Sequence, residues 1–234
     1  MPKPRPPLVL TRELVDHTVR KVEDEGPPPG LVPMTDDDYA GVVGDVLAKA
    51  PPGPTKLFAY GSLLWKPACE VIDGRRAIVR GWHRAFCFRT PRFRGTPDRP
   101  GLMMALDRGG QCEGMIFRIA EPKEQSLDSL VRREMTVKPA VNIPRWLTAQ
   151  TDEGPVRVIG FVVNRQVERY VGRLPLEEVA DVVSTAAGHW GSCAEYLYET
   201  VVQLERLGIH DANLWRLQRL VAERIVRNRL QVQP

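Results

Sequence analysis

The sequence predicts an α+β protein. Strand-type patterning is concentrated in residues 56–119, helical spacing dominates from Pro175 onward, and no strand–helix alternation marks a parallel βαβ sheet. The chain has 234 residues, 43% hydrophobic and 26% charged, which suits one large domain or two small ones and excludes chain-wide disorder. With 33 basic against 29 acidic residues the formal charge is +4, mildly basic and far from histone-like. The longest uncharged runs, such as residues 182–194, are broken by polar residues, so no membrane span is expected and the protein reads as soluble. The first residues lack an apolar core before a cleavage site and acidic residues begin at Glu13, which predicts a cytoplasmic protein. Cys69, Cys87, Cys112 and Cys193 are widely spaced with no C-x-x-C pair, so neither a disulfide framework nor a metal site is expected.

Two proline clusters, residues 2–7 and 27–33, flank a helix expected from Thr11 as N-cap and from Val15, Val19 and Val22 at helical spacing. A second helix is expected after Thr35, with Tyr39, Val42, Val43, Val46 and Leu47 on its apolar stripe, before Pro51-Pro52-Gly53-Pro54 ends it. Residues 1–55 thus read as an N-terminal extension of helices and proline-rich links, and 56–230 as the compact domain. Within that domain, strands are expected over 57–60, over 77–88 with a break at Gly81, and over 102–106 and 112–119. The last two are expected to form a hairpin about Gly109-Gly110. A short helical stripe of Leu127, Leu130 and Val131 follows, then a strand over 156–163. Ser192 with Glu195 reads as a capping box, Gly208 as a C-cap, and Asp211 as the N-cap of the last helix.

Three signals bear on chemistry. In Ala59-Tyr60-Gly61-Ser62-Leu63-Leu64 an apolar strand runs into Gly-Ser, where the backbone can turn and present successive N–H groups and a hydroxyl to an anion; on the motif alone, a plain strand-ending turn explains it better. Glu134 sits seven residues after Leu127 and four after Leu130, which places it on the apolar face of a helix and predicts a partly buried carboxylate. Desolvation raises such a pKa toward the range in which one group can accept a proton and return it. The competing reading ends the helix earlier and pairs Glu134 with Arg132, Arg133 or Arg145 at the surface. Residues 75–99 hold eight arginines against one acid, Asp98, with Trp82, Phe86, Phe88 and Phe93 interleaved. This composition fits a nucleic-acid-binding module, or an Arg-rich strand pair whose aromatics face the core, and its field would also gather a small anion. His83 with Cys87 and His189 with Cys193 are spaced four apart, but no third orienting group accompanies the first pair. A thiol near the Ser192 cap could have a lowered pKa, although a buried thiol in a helix-start turn explains that pair better.

The order of short segments resembles the ChaC family of glutathione-specific γ-glutamylcyclotransferases. The segments are Tyr60-Gly61-Ser62-Leu63-Leu64-Trp65-Lys66-Pro67, Gly81-Trp82-His83-Arg84-Ala85-Phe86-Cys87, Arg94-Gly95-Thr96, Pro100-Gly101-Leu102, Gly109-Gly110-Gln111-Cys112-Glu113-Gly114, Arg133-Glu134-Met135, and Gly188-His189-Trp190-Gly191-Ser192 with Tyr196-Leu197. The resemblance spans about residues 57–220. It implies a γ-glutamylcyclotransferase-like fold, a small mixed β-barrel with packed helices, and a cofactor-free lyase that converts glutathione into 5-oxoproline and Cys-Gly. Glu134 then falls on the family's acid/base glutamate. Tyr60, Gly61, Ser62 and Leu63, with Ala59 and Leu64 beside them, fall on the loop that holds the γ-glutamyl group, and Tyr196 falls on a later substrate-side tyrosine. Many members carry Gly where this chain has Ala59 and Asn where it has Cys193. The implied partner is a small-molecule substrate, glutathione, with neither nucleic acid nor membrane expected. The rivals are a cyclotransferase for another γ-glutamyl amine or peptide, and nucleic-acid binding through residues 75–99.

Overall fold

The structure, a computed structural model, describes residues 7–232. The first proline cluster, Pro7 apart, lies outside the described residues. In chain order the elements are α1 (Arg12–Asp16), β1 (Val32–Pro33), α2 (Asp36–Ala48), β2 (Lys56–Ala59), a single 3-10 turn (Ser62–Leu64), β3 (Val71–Thr90), β4 (Gly101–Ile119), α3 (Lys123–Glu134), β5 (Val137–Lys138), β6 (Asn142–Thr151), β7 (Gly154–Val163), α4 (Leu176–Val183), β8 (Ala187–Gly188), β9 (Gly191–Ser192), α5 (Cys193–Arg206) and α6 (Ala212–Val232). They form two compact units. One is Pro29–Phe88 with Met104–Gly172; the other is the described parts of Met1–Pro28, Arg89–Met103 and Arg173–Pro234.

The first unit is a closed barrel in the order β2-β4-β3-β6-β7. The barrel is mixed: β2 runs antiparallel to β4 (Leu57 opposite Phe117) but parallel to β7 (Leu57 beside Ile159), and β6 and β7 pair as an antiparallel hairpin from Asn142–Val163 to Thr151–Gly154. Leu57, Phe58, Val79, Leu106, Ile116, Ala149, Val158, Ile159 and Phe161 are each almost wholly buried, and because successive strand residues alternate faces they pack both inside the barrel and beneath what covers it. Helix α2 begins as expected at Thr35, where Thr35 and Asp38 complete a capping box, and its Tyr39, Val43 and Val46 are buried. It packs on α3 and β6, and Trp146 of β6 donates its indole N–H to the Val46 carbonyl at 3.0 Å. The Arg132 guanidinium lies 4.4 Å over the Tyr39 ring and reaches Asp36 and Asp128 at 2.8 and 2.7 Å.

Two expectations fail in the barrel. The hairpin about Gly109-Gly110 does not form, because Gly101–Ile119 is one continuous strand. Its two halves pair with different neighbours, Met115 to Arg118 with β2 and Leu106 with Val162 of β7, so they cannot pair with each other. The two glycines take φ of 107° and 62° inside the strand and lie under His83, whose Nδ1 is 3.0 Å from the Gly109 carbonyl. Gly81 likewise takes φ of 80° without ending β3. Strand β6 is an element that the sequence did not announce, because Pro144 interrupts it.

The second unit gathers α1, α4, α5 and α6, with α1 and α4 packed against both α5 and α6. Helix α1 is only Arg12–Asp16, shorter than the valine spacing suggested. Thr11 caps it as expected, but the Thr18 hydroxyl then donates to the Val15 carbonyl at 2.7 Å, diverting the backbone, and Val19 is 55% exposed. Gln218 of α6 is fully buried, and its Oε1 accepts from Val9 and Leu10 N–H at 2.9 and 2.8 Å, which pins the chain ahead of α1. Ser192 caps α5, accepting from Glu195 N–H at 3.0 Å, but the reciprocal half of the expected capping box is missing. The Glu195 carboxylate is drawn away to Arg94 at 2.9 Å, a stronger, charge-assisted partner. Gly208 takes φ of 65° just past α5, and Asp211 Oδ1 accepts from Asn213 and Leu214 N–H, as a C-terminal stop and an N-cap should.

Candidate active site

Residues 59–64 carry the chain from the end of β2 into a single 3-10 turn. The Ala59, Tyr60, Leu63 and Leu64 side chains are each at most 6% exposed, so this loop offers chiefly its backbone and the half-buried Ser62. Gly61 O accepts from Leu64 N–H at 2.9 Å and Ser62 O from Lys66 N–H at 2.8 Å, closing the turn. It is held from both sides. The Tyr60 hydroxyl donates to the Phe161 carbonyl on β7 at 2.8 Å, and buried Arg84 of β3 donates from Nε to the Tyr60 carbonyl at 2.6 Å while also reaching the Glu113 carbonyl. Gly114 of β4 permits the close approach, since a Cβ there would stand 2.5 Å from the Ala59 carbonyl.

Glu134 is the last residue of α3, on the same side as buried Leu127, Leu130 and Val131, with its side chain 13% exposed. Of the competing reading only the Arg133 contact is present: the helix runs through Glu134 and does not end before it, Arg132 turns to Asp36 and Asp128, and Arg145 lies 5.7 Å from the Trp82 ring. Two groups approach the Glu134 carboxylate. Asn142 Nδ2 donates to Oε2 at 3.1 Å, and Arg133 Nε stands 3.9 Å from Oε1. Burial pushes the carboxyl above its ordinary range, and the pull of Arg133 and Asn142 in the other direction does not cancel it. Arg133 also donates to the Lys66 carbonyl, tying the residue beside Glu134 to the chain just after the loop.

Strand direction explains why these groups share one end of the barrel. Because β2 runs parallel to β7, both carboxyl ends point the same way, and that end is the amino end of β6. The loop leaves β2 there, Tyr60 reaches Phe161 there, and Asn142 opens β6 opposite Val163. Ala59, Tyr60, Gly61, Ser62, Leu63, Leu64 and Glu134 therefore belong to one unit. Tyr196 belongs to the other, on α5, 4% exposed, with the Arg94 guanidinium 5.6 Å from its ring. Sequence reasoning did not single out Arg84, Arg133 or Asn142 for the site. Arg84 was hidden among eight arginines, and Asn142 lies in the strand that Pro144 obscured.

Several residues of the remaining signals are engaged in contacts within the fold. Arg75 pairs with Glu153, Arg92 with Asp24 at 2.6 Å and Arg94 with Glu195, while Phe86 and Phe88 are buried. Burial raises the Cys87 and Cys193 thiols to about 12 each, so the lowered pKa considered for Cys193 is reversed; its Sγ donates to the Arg94 carbonyl at 3.1 Å. Among the described residues no group of three His, Cys, Asp or Glu side chains could hold a metal ion.

Comparison with known proteins places this geometry. The family model described as ChaC-like protein matches residues 56–224. The glutathione-specific γ-glutamylcyclotransferase of Escherichia coli (strain K12) is 34% identical over 177 residues, 75% of this chain and 76% of that protein. The protein of the same name from Schizosaccharomyces pombe is 28% identical over 203 residues, 77% of this chain and 98% of its own. A crystal structure of a yeast γ-glutamyl cyclotransferase specific to glutathione superposes with a TM-score of 0.65 at 18% identity, covering 72% of this chain and 96% of the other, and shares the fold. The chain belongs to the ChaC-like protein family.

Proposed function

We propose that this protein is a γ-glutamylcyclotransferase that converts glutathione into 5-oxoproline and Cys-Gly, with Glu134 as its acid/base residue. The observation that carries the reading is a buried, weakly partnered carboxylate of raised pKa at the barrel end where a backbone loop turns over Gly61 and Ser62. A γ-glutamyl group carries its own nucleophile, the α-amine, so the reaction needs positioning more than a side-chain nucleophile. A well-oriented intramolecular attack can supply about 7 kcal/mol or more of the barrier.

The α-ammonium brings three N–H protons. Glu134 accepts one, the freed nitrogen attacks the γ-carbonyl, and the tetrahedral adduct collapses by breaking the bond to the cysteine nitrogen. One N–H remains on the lactam and two protons reach the leaving nitrogen, which departs as the ammonium of Cys-Gly. A carboxyl whose pKa is raised toward neutrality both takes and returns such protons efficiently. N–H groups of the 59–64 loop and the Ser62 hydroxyl are suited to hold the substrate carboxylate and the developing oxyanion. Tyr196 is proposed as a further substrate-side residue, resting on the family match.

The domain assigned to this activity is 56–230, with 1–55 as an extension, and the chemistry assigned calls on no cofactor. Among the described residues no helix is long and apolar enough to cross a membrane, and a cytoplasmic location is part of the proposal. The paired arginines and buried phenylalanines of residues 75–99 support a structural role for that segment over nucleic-acid binding. The test is product analysis by mass spectrometry after incubation with glutathione and a panel of other γ-glutamyl amines. Release of 5-oxoproline with Cys-Gly from glutathione is expected. Release only from other γ-glutamyl compounds would reassign the substrate, and release from none would refute the reading.

A further inference from the structure

Among the described residues two buried side-chain nitrogen or oxygen atoms lack a hydrogen-bond partner: Asn142 Oδ1 and Trp215 Nε1. The second is an indole edge in a helix. The first belongs to the side chain that touches Glu134. A buried amide oxygen without a donor is an uncompensated desolvation that calls for an explanation, and completion of the bonding by a bound group or a catalytic role is one. Gln218 shows what this chain does with a buried amide kept for structure: its oxygen takes two backbone N–H groups and its nitrogen donates to the Trp215 carbonyl at 3.1 Å.

Asn142 cannot turn its oxygen toward Glu134 without setting it against an ionised carboxylate. With Nδ2 committed to Glu134 Oε2 at 3.1 Å, Oδ1 is the other branch of the same planar amide. A donor that reaches Oδ1 is then held within one amide width of the base. The cyclotransferase reaction brings a group that needs this arrangement. The α-ammonium gives a proton to Glu134, keeps one N–H in the lactam, and must present its lone pair to the γ-carbonyl. An amide oxygen accepts a hydrogen bond but does not take the proton, so it can hold the N–H that stays.

We propose that Asn142 is a further substrate-contacting residue, its Nδ2 fixing the Glu134 carboxylate while its Oδ1 accepts the α-amine N–H that remains on the lactam nitrogen. This rests on the cyclotransferase reading and adds the element that delivers the nucleophile to its base. Asn142 also opposes the upward shift of the Glu134 carboxyl, together with Arg133, the charged group that faces it from α3.

The test compares wild type, Asn142→Leu and Asn142→Asp in steady-state turnover of glutathione across pH. The competitive inhibitor is 4-carboxybutanoyl-Cys-Gly, which keeps both carboxylates and lacks the α-amine. Asn142→Leu is expected to lose at least tenfold in kcat, to move the acidic limb of kcat/KM to higher pH, and to leave the inhibitor constant of the desamino compound unchanged. A merely structural role would weaken that inhibitor too. Asn142→Asp is close to isosteric and keeps an acceptor for the amine, so it serves even if the leucine variant fails to fold. Its acidic limb is expected to move up further, with kcat recovering above that limb. Wild-type kcat and an unmoved limb in the variants, or a parallel rise of KM and the inhibitor constant, would overturn the proposal alone. No 5-oxoproline from wild-type protein would overturn the cyclotransferase reading and this inference with it.

Discussion

Asp107 and Glu134 are two buried carboxylates in the same barrel unit, and the protein treats them in opposite ways. Asp107, 3% exposed, receives Arg165 Nε at 2.6 Å, the Tyr170 hydroxyl at 2.9 Å and Arg108 N–H at 2.8 Å. Glu134 receives one amide N–H at 3.1 Å and has a guanidinium no nearer than 3.9 Å. A carboxylate with several strong donors serves as a tie, here between β4 and the segment after β7. One left short of donors holds its proton more tightly, at a cost to the free protein, and is available for proton exchange. With side chains 5% and 13% exposed, the two groups differ chiefly in the donors that reach them, so in Glu134 the effect of burial is left largely unopposed.

The comparison breaks first on turnover. Glu134→Gln should keep its fold while losing about 10² to 10⁴ in kcat, since the amide preserves shape but cannot accept a proton; circular dichroism beside a 5-oxoproline assay checks both halves. Asp107→Asn should do the reverse, losing about 2 kcal/mol in denaturant unfolding while activity per folded molecule stays near wild type. Arg84→Met, which leaves the Tyr60 carbonyl without its 2.6 Å donor, should loosen the cradle and raise KM about tenfold with a smaller effect on kcat.

A fourth prediction concerns pH. The folded pKa of Glu134 lies above its ordinary value of 4.5, so the folded protein holds a proton that the unfolded chain has already released. Stability is therefore lowered above the folded pKa, and the loss disappears as pH falls through that pKa toward 4.5. Glu134→Gln should accordingly raise Tm relative to wild type at neutral pH, and the gap should close toward pH 4; a constant gap in calorimetry would contradict the assignment. The smallest effect is expected at Gln218, whose replacement by Ala should cost about 1 to 2 kcal/mol by stranding the Val9 and Leu10 N–H groups, with kcat and KM unchanged.

Where local chemistry dominates, the chain could be read directly. Thr35, Ser192 and Asp211 cap helices as their side chains imply, and Glu134 lies where the Leu127–Leu130 spacing projects it. Misreadings arise where a distant partner decides. Gly109-Gly110 has the composition of a hairpin turn, yet β2 and β7 claim the two flanks and the strand continues through it. Val19 continues a helical spacing, but Thr18 bonds the Val15 carbonyl and the Ser192 hydroxyl at 2.7 Å, ending the helix. Of the site, the loop and the glutamate were legible because each carries its own local signal. Arg84, Arg133 and Asn142 matter through bonds to residues 24, 67 and 8 positions away, which no local pattern records.

The most direct test of the contrast is the titration of Glu134 itself, by carbon-13 NMR of ligand-free protein labelled at the glutamate carboxyl carbon, with Glu134→Gln to assign the resonance. The account predicts a midpoint clearly above 4.5, displaced toward neutral pH and higher still in Asn142→Leu. A midpoint at or below 4.5 would show that Arg133 and Asn142 outweigh burial, and the claim that this carboxylate is poised to exchange protons would be wrong.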